Sequence, residues 1–177
     1  MAPQASAPFE RVPVLDAWDE TPTLRAIRID LGPLAPEHVH PGQVVKIRAG
    51  PGEAYFALAS APSPAGRADL LVKRGGRVAD EVIATARPGG LLETTAPFGG
   101  GFPVAEAEGR DVLLFAAGSG VAPIRALVQW LVARRERHGR DDGPARAGRF
   151  EPSPHVPLTH QETPGVDVVR GDRAAGA

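Results

Sequence analysis

Two glycine-built corners carry the chemistry this sequence can do. The first, Gly75-Gly76-Arg77-Val78-Ala79, stands before a short helical stretch. The second, Gly118-Ser119-Gly120-Val121-Ala122-Pro123, follows the apolar run Asp111 to Ala117. A helix N-terminus leaves N–H groups unpaired and carries partial positive charge, so each corner is of a kind that holds a phosphate. Glycine permits close approach of backbone to such a group. Pro123 suits the first helical position, where a missing N–H costs nothing. Upstream, Phe56 lies within Tyr55 to Ser60, and Lys73 and Arg74 are adjacent cations. A ring face can stack, and a cation can pair with an anion. Each segment also has a plain reading. Tyr55 to Ser60 serves equally as a barrel strand with an aromatic core residue. Gly75-Gly76 makes a hairpin turn, and Gly118 to Pro123 makes an ordinary strand-to-helix turn.

The elements that must position these groups read as follows. Strands are expected at Arg11 to Ala17, Leu24 to Leu31, Gln43 to Arg48, Tyr55 to Ser60, Ala68 to Arg74 and Leu91 to Thr95, separated by Pro and Gly turn signals. Alternation places Ile27, Ile29 and Leu31 inward and Arg28 and Asp30 outward, and puts Val45 and Ile47 on one face. Val78 to Ala86 reads as a short helix stopped by Pro88-Gly89-Gly90. Six short strands with one helix before the sixth predict a small antiparallel barrel over residues 9–103. Gly99-Gly100-Gly101 and Glu106 to Arg110 form a hinge. The unbroken apolar run Asp111 to Ala117 predicts a parallel strand buried on both faces. Ile124, Leu127, Val128 and Leu131 then recur at helical spacing, with Arg134, Arg135, Arg137 and His138 at the helix end and Gly139 as a cap. The expected class is a six-stranded antiparallel barrel followed by an incomplete Rossmann-like nucleotide-binding unit over residues 108–139. One strand and one helix do not build a doubly wound sheet. Residues 140–177 turn abruptly rich in Pro, Gly, Arg, Asp and Glu, with only Val166, Val168 and Val169 hinting at order. They read as a disordered or aberrant tail to a truncated domain.

Composition narrows the function. A net charge of −1 gives no general basic field for nucleic acid. With no cysteine among 177 residues there is no disulfide, thiolate nucleophile or cysteine-ligated cluster in this sequence. That pattern, with no apolar run long enough for a bilayer and no secretory leader, predicts a cytoplasmic protein. His38 and His40 beside Pro41 read as a solvated turn rather than a metal site, since no third ligand is evident. His155 and His160 fall in the tail, and Ser63 and Ser119 lack hydrolase partners.

The order of barrel and glycine turn resembles the ferredoxin–NADP reductase superfamily, and within it a flavin oxidoreductase-like branch with plant plastid and bacterial members. The matching residues are Gly42-Gln43-Val44-Val45, Tyr55 to Ser60, Leu71-Val72-Lys73-Arg74, Gly75 to Ala79, Pro97-Phe98-Gly99 and Gly118 to Pro123. The resemblance implies FAD on the barrel, NAD(P)H at the second turn, and hydride transfer between them to an unknown electron acceptor. It assigns flavin stacking to Phe56, with Ala57, Leu58 and Ser60 beside it. Lys73 or Arg74 would supply the cation of a family arginine, since Ala54 stands at that position and Ala57 at a family serine. Gly75, Gly76, Val78 and Ala79 would hold the pyrophosphate. Gly118, Ser119, Gly120, Val121 and Pro123 would hold the pyridine nucleotide. Loss of a bidentate arginine weakens the expected grip on FAD. A second expectation is a non-catalytic FAD barrel that binds flavin or a partner only. An electron-transfer subunit like that of dihydroorotate dehydrogenase ranks last, because that family member carries a cysteine-ligated cluster.

Overall fold

The computed structural model describes residues 8–107 and 110–138. Six strands form: β1 (Glu10–Thr21), β2 (Leu24–Asp30), β3 (Val44–Ala49), β4 (Gly52–Ala57), β5 (Arg67–Lys73) and β6 (Leu91–Thr94). Helix α1 (Arg77–Thr85) lies between β5 and β6, and α2 (Val121–His138) follows the last strand. The sheet order is β4-β3-β6-β1-β2-β5, and every pairing is antiparallel. Just past β4, Leu58 bridges Leu70 of β5, and the Ala59 N–H donates to the Asp69 carbonyl at 2.7 Å. The two ends of the sheet therefore meet, and the barrel closes.

All six expected strands form, with shifted ends. β1 runs on to Thr21 because its second half pairs with β2 through Trp18↔Ala26 and Thr21↔Leu24. β4 starts early, at Gly52, because Ala49↔Gly52 already pairs across the turn from β3. Long-range pairing outreaches local turn signals in both places. The barrel core holds Val12, Val14, Ile27, Ile29, Leu31, Val45, Ile47, Leu58, Leu70 and Val72. Helix α1 plugs it with Val82 and Ile83, and Ala86 follows at its end.

One turn is built on a buried amide. The Gln43 side-chain oxygen accepts from the N–H groups of Val39 and His40, and its Nε2 donates to the Glu37 carbonyl. His38, inside this turn, is not solvated as its polar neighbours suggest. It is 6% exposed, its Nε2 has no hydrogen-bond partner among the described residues, and burial pushes its pKa down to about 4. The folded state therefore refuses a proton that the unfolded chain, with an ordinary value of 6.5, accepts. Stability present above pH 6.5 is expected to fall as pH drops from there toward about 4. Urea unfolding of wild type and His38→Leu at both ends of that window checks this. The variant loses less stability on acidification, and an equal loss would contradict the assignment.

Strand β5 is covered on both faces. Ala68, Leu70 and Val72 point into the barrel, while Leu71 faces outward and packs with Ala26, Ala59 and Ala122. Those three alanines let α2 lie close against the outside of β2 and β5. The C-terminal part departs from expectation in two ways. Residues 111–117 form no strand, and Val112, Leu113 and Phe115 are exposed at 43%, 78% and 73%. A parallel strand needs neighbours for its N–H and C=O groups and a layer on each face; among the described residues no strand runs beside this segment. Of the expected α2 face, Leu127 is buried, Ile124 and Leu131 are half-buried and Val128 is exposed, while Ala122 and Ala126 are buried with Leu127. Its docking surface is set by the barrel it meets. Among the described residues no helix is long and apolar enough to cross a membrane. The Gly139 cap, His155, His160 and Val166 to Val169 lie outside the described residues.

Candidate cofactor-binding site

A cleft of about 400 Å³ opens between the barrel and the second glycine corner. Tyr55, Phe56 and Ala57 of β4 and Leu71 and Lys73 of β5 line one wall. Ser119, Gly120, Ala122 and Pro123 line the other. The structure thus brings together Phe56, Ala57, Lys73 and the 118–123 turn, which are far apart in sequence.

Strand register decides which ring is presented. Phe56 pairs with buried Val45, so it points toward the core and packs half-buried against it. Tyr55 pairs with Lys46 on the outer face and is 65% exposed. Its ring meets Phe98 edge-on at 6.0 Å between centroids, and the Lys46 ammonium lies 5.4 Å from its centre. Hydrogen bonding to Glu53, opposed by some desolvation, raises the Lys46 pKa, and the pair stands at 3.1 Å. In the sequence Tyr55 has no motif that marks it as the presented ring. The inward alternation of Val45 and Ile47, carried across to β4, is the signal that finds it.

The remaining family-implied residues divide by place. Leu58 is fully buried in the core and donates its N–H to the Gln43 carbonyl at 2.9 Å. The Ser60 hydroxyl accepts the Asp69 N–H at 2.9 Å. Neither lines the cleft. Arg74 pairs with Asp19 at 3.0 Å, and Arg25 holds the same carboxylate at 3.1 Å. The hydrogen bond from Arg25, with that from Arg74, keeps the Asp19 pKa below its ordinary value despite some desolvation. Lys73 forms no ion pair among the described residues, so its charge is available to the cleft.

At the first corner Gly76 is the N-cap of α1 and no side chain caps it. The Gly75 N–H is already taken by Asp80 Oδ1 at 2.9 Å. Helix geometry leaves the amides of Arg77, Val78 and Ala79 without intrahelical acceptors. Val78 and Ala79 turn their side chains half-buried onto the core, so they offer backbone only. A Cβ on Gly75 would meet nothing within 4 Å, which leaves the corner open to a ligand. At the second corner Gly120 donates to the Ala117 carbonyl at 3.0 Å, and Val121 donates to Gly118 and Ser119 carbonyls. Pro123 has no N–H. The donors left at this turn are the Gly118 and Ser119 amides and the Ser119 hydroxyl. Around Gly118 and Gly120 a Cβ would again meet open space.

Polar contacts join α2 to the barrel. Asp69, with a side chain 6% exposed, receives Arg28 Nε at 2.8 Å and Arg125 Nη1 at 3.1 Å. Arg125 also donates to the Ala59 carbonyl at 3.2 Å, and the Ala61 N–H donates to Gln129 Oε1 at 3.1 Å. Sequence inspection gives no hint of this cluster, whose partners are 41 and 56 positions apart. Among the described residues no group of three His, Asp or Glu could hold a metal ion.

No protein-family model matches the chain. It is 36% identical over 135 residues to the gamma subunit of sulfhydrogenase 1 from Pyrococcus furiosus, covering 74% of this chain and 46% of that one. It is 32% identical over 112 residues to the electron transfer subunit of dihydroorotate dehydrogenase B (NAD(+)) from Bacillus cereus, covering 60% and 43%. The chain thus spans about half the length of the curated relatives it matches. The likeness ranked last from sequence is among those the relatives bring forward. Its demotion rested on cysteines, and the match leaves more than half of that relative uncompared. Among solved structures, ferredoxin–NADP+ reductase from Plasmodium falciparum superposes with a TM-score of 0.58 at 13% identity, over 71% of this chain and 53% of that one. With its closed six-stranded barrel, its inserted helix and its glycine turn, this chain has the fold of the ferredoxin–NADP reductase-like structures and is similar in sequence to the two subunits above.

Proposed function

We propose that the chain binds FAD in the cleft between β4–β5 and the 118–123 turn, accepts hydride from NAD(P)H there, and passes electrons to a separate acceptor. The observation that carries this reading is the cleft itself. It joins a ring-bearing barrel strand, an unpaired cation and an open glycine turn, the three things a flavin and a pyridine nucleotide need from protein. When bound, FAD supplies the redox chemistry, and the protein supplies position and electrostatics. The residues fit the group. Tyr55 presents a ring face, with Phe56 supporting the wall behind it. Lys73 and the α1 amides after Gly75 and Gly76 face a diphosphate, although Asp80 occupies one amide. Gly118, Ser119 and Gly120 let a nucleotide phosphate approach the backbone. Ala54 and Ala57 contribute no polar atom, so anchoring falls on Lys73. Two relatives are named as subunits, which supports a protein as the electron acceptor.

Lys73→Glu is expected to raise the FAD dissociation constant roughly tenfold, the loss of one point-charge contact and its reversal. Flavin fluorescence titration checks it, and an unchanged constant would move the diphosphate away from Lys73.

A second reading has its own observation. The exposed run 112–117 has no strand neighbour among the described residues, which favours a barrel that holds flavin without reducing it. One experiment separates the readings. The full chain is loaded with FAD, freed of excess, and mixed anaerobically with NADH or NADPH in a stopped-flow instrument. Bleaching of bound flavin supports the oxidoreductase. Retained flavin that neither nucleotide bleaches supports the binding-only barrel, and a colourless protein contradicts both.

A further inference from the structure

Four groups hold one buried aspartate, two at its carboxylate and two at its backbone, and tie the second glycine corner to the barrel. Asp69 lies on β5 between the cleft residue Leu71 and the start of the strand, with its side chain 6% exposed. Arg28 from β2 binds it through Nε to Oδ1 at 2.8 Å and Nη2 to Oδ2 at 3.2 Å. Arg28 is itself held, with its guanidinium 5.4 Å from the Trp18 ring centre. The Asp69 N–H is fixed by the Ser60 hydroxyl, and its carbonyl by the Ala59 N–H. Every handle on Asp69 so far belongs to the barrel. The last belongs to α2: Arg125 Nη1 reaches Asp69 Oδ2 at 3.1 Å and the Ala59 carbonyl at 3.2 Å.

Arg125 is two residues beyond Pro123 and three beyond Ala122, both of which line the cleft. A helix is stiff over one turn, so fixing Arg125 fixes the height and rotation of the 118–123 corner. The apolar contact alone does not fix them. Ala122 meets Ala26, Ala59 and Leu71, with Val121, Trp18, Leu24 and Ala57 packed around them, and dispersion contacts of this kind carry no directional preference. A carboxylate already anchored bidentately to the barrel offers its free Oδ2 lone pair in a fixed direction, which alanines do not.

We propose that Asp69 and Arg125 are positioning residues that set the distance between the glycine turn and the ring wall of the cleft. The proposal rests on the cofactor reading above for its catalytic consequence. Neither residue touches the reacting atoms. Their effect is geometric, and hydride transfer is sensitive to such geometry.

The test uses the full chain with Arg125→Met, which keeps the apolar stem, Arg125→Lys, which restores a cation, and Asp69→Asn, which keeps the shape. Two readouts are taken. Amide hydrogen exchange without any cofactor reads the latch itself: α2 amides exchange roughly tenfold faster in Arg125→Met and Asp69→Asn, while β2 and β5 are unchanged, and Arg125→Lys recovers part of the protection. Equal α2 exchange in wild type and variants overturns the latch. The second readout is flavin reduction in FAD-loaded protein. Arg125→Met retains FAD, and its rate at saturating NADH or NADPH falls roughly tenfold to a hundredfold. A rate equal to wild type overturns the positioning role. Wild type that takes up no FAD contradicts the cofactor reading alone, because the exchange experiment still reports on the latch.

Discussion

Leu70→Ala is expected to cost about 2–5 kcal/mol, and Leu71→Ala distinctly less, although the two residues are adjacent on β5. Leu70 is 0% exposed, pairs with Ile27 across β2 and bridges Leu58 where the barrel closes. Removing its branched end leaves a cavity among strands that are hydrogen-bonded on both sides and cannot collapse into it. Leu71 points to the other face, toward a cluster of alanines beneath α2 that can settle inward. Urea unfolding checks the pair. Leu70→Ala shifts the midpoint strongly at constant slope, and Leu71→Ala shifts it weakly. Equal shifts would mean that β5 does not separate two cores.

Gly101→Ala is expected to lower the melting temperature by roughly 10 °C, from about 3 kcal/mol of backbone strain and displacement. Gly101 has φ +63°, a region that costs an L-residue energy whatever surrounds it. A Cβ there would also stand 2.5 Å from the Pro41 carbonyl oxygen and 2.7 Å from His40 Cβ. The same carbonyl accepts the Phe102 N–H at 2.9 Å, so relief of the clash breaks a hydrogen bond. Gly42 locks the other side, since a Cβ on it would meet the Phe102 ring at 2.6 Å. The segment leaving the barrel is thereby pinned to the turn that Gln43 organises. Gly100→Ala, where a Cβ meets nothing within 4 Å, serves as the control and changes little. Calorimetric melting of both variants decides the point, and a Gly101→Ala protein that melts with wild type would contradict the interlock.

The barrel was legible in the sequence because its signals are local. Ile27, Ile29 and Leu31 alternate inward as their spacing predicts, and Pro-Gly turns mark the strand breaks. The run 111–117 forms no strand, because apolarity reports what a segment would bury, and burial depends on strands that must come from elsewhere. At the site, the glycine corners were legible as corners. Their amide use was not: Asp80 and the Ala117 carbonyl each claim a donor that a sequence leaves free. Tyr55 and Phe56 could be told apart only through the β3–β4 register, since a slip of one residue exchanges faces. The Asp69–Arg125 contact had no sequence signature, because nothing local links β5 to α2.

The measurement that bears most directly on the cofactor cleft is hydrogen exchange of the full chain with and without FAD, and then with NADH or NADPH added. FAD is expected to protect residues 54–57 and 73–79, and the nucleotide to add protection at 118–123, with the far strand β1 unchanged. Protection that misses β4 and the α1 corner, or none at saturating FAD, would contradict the account.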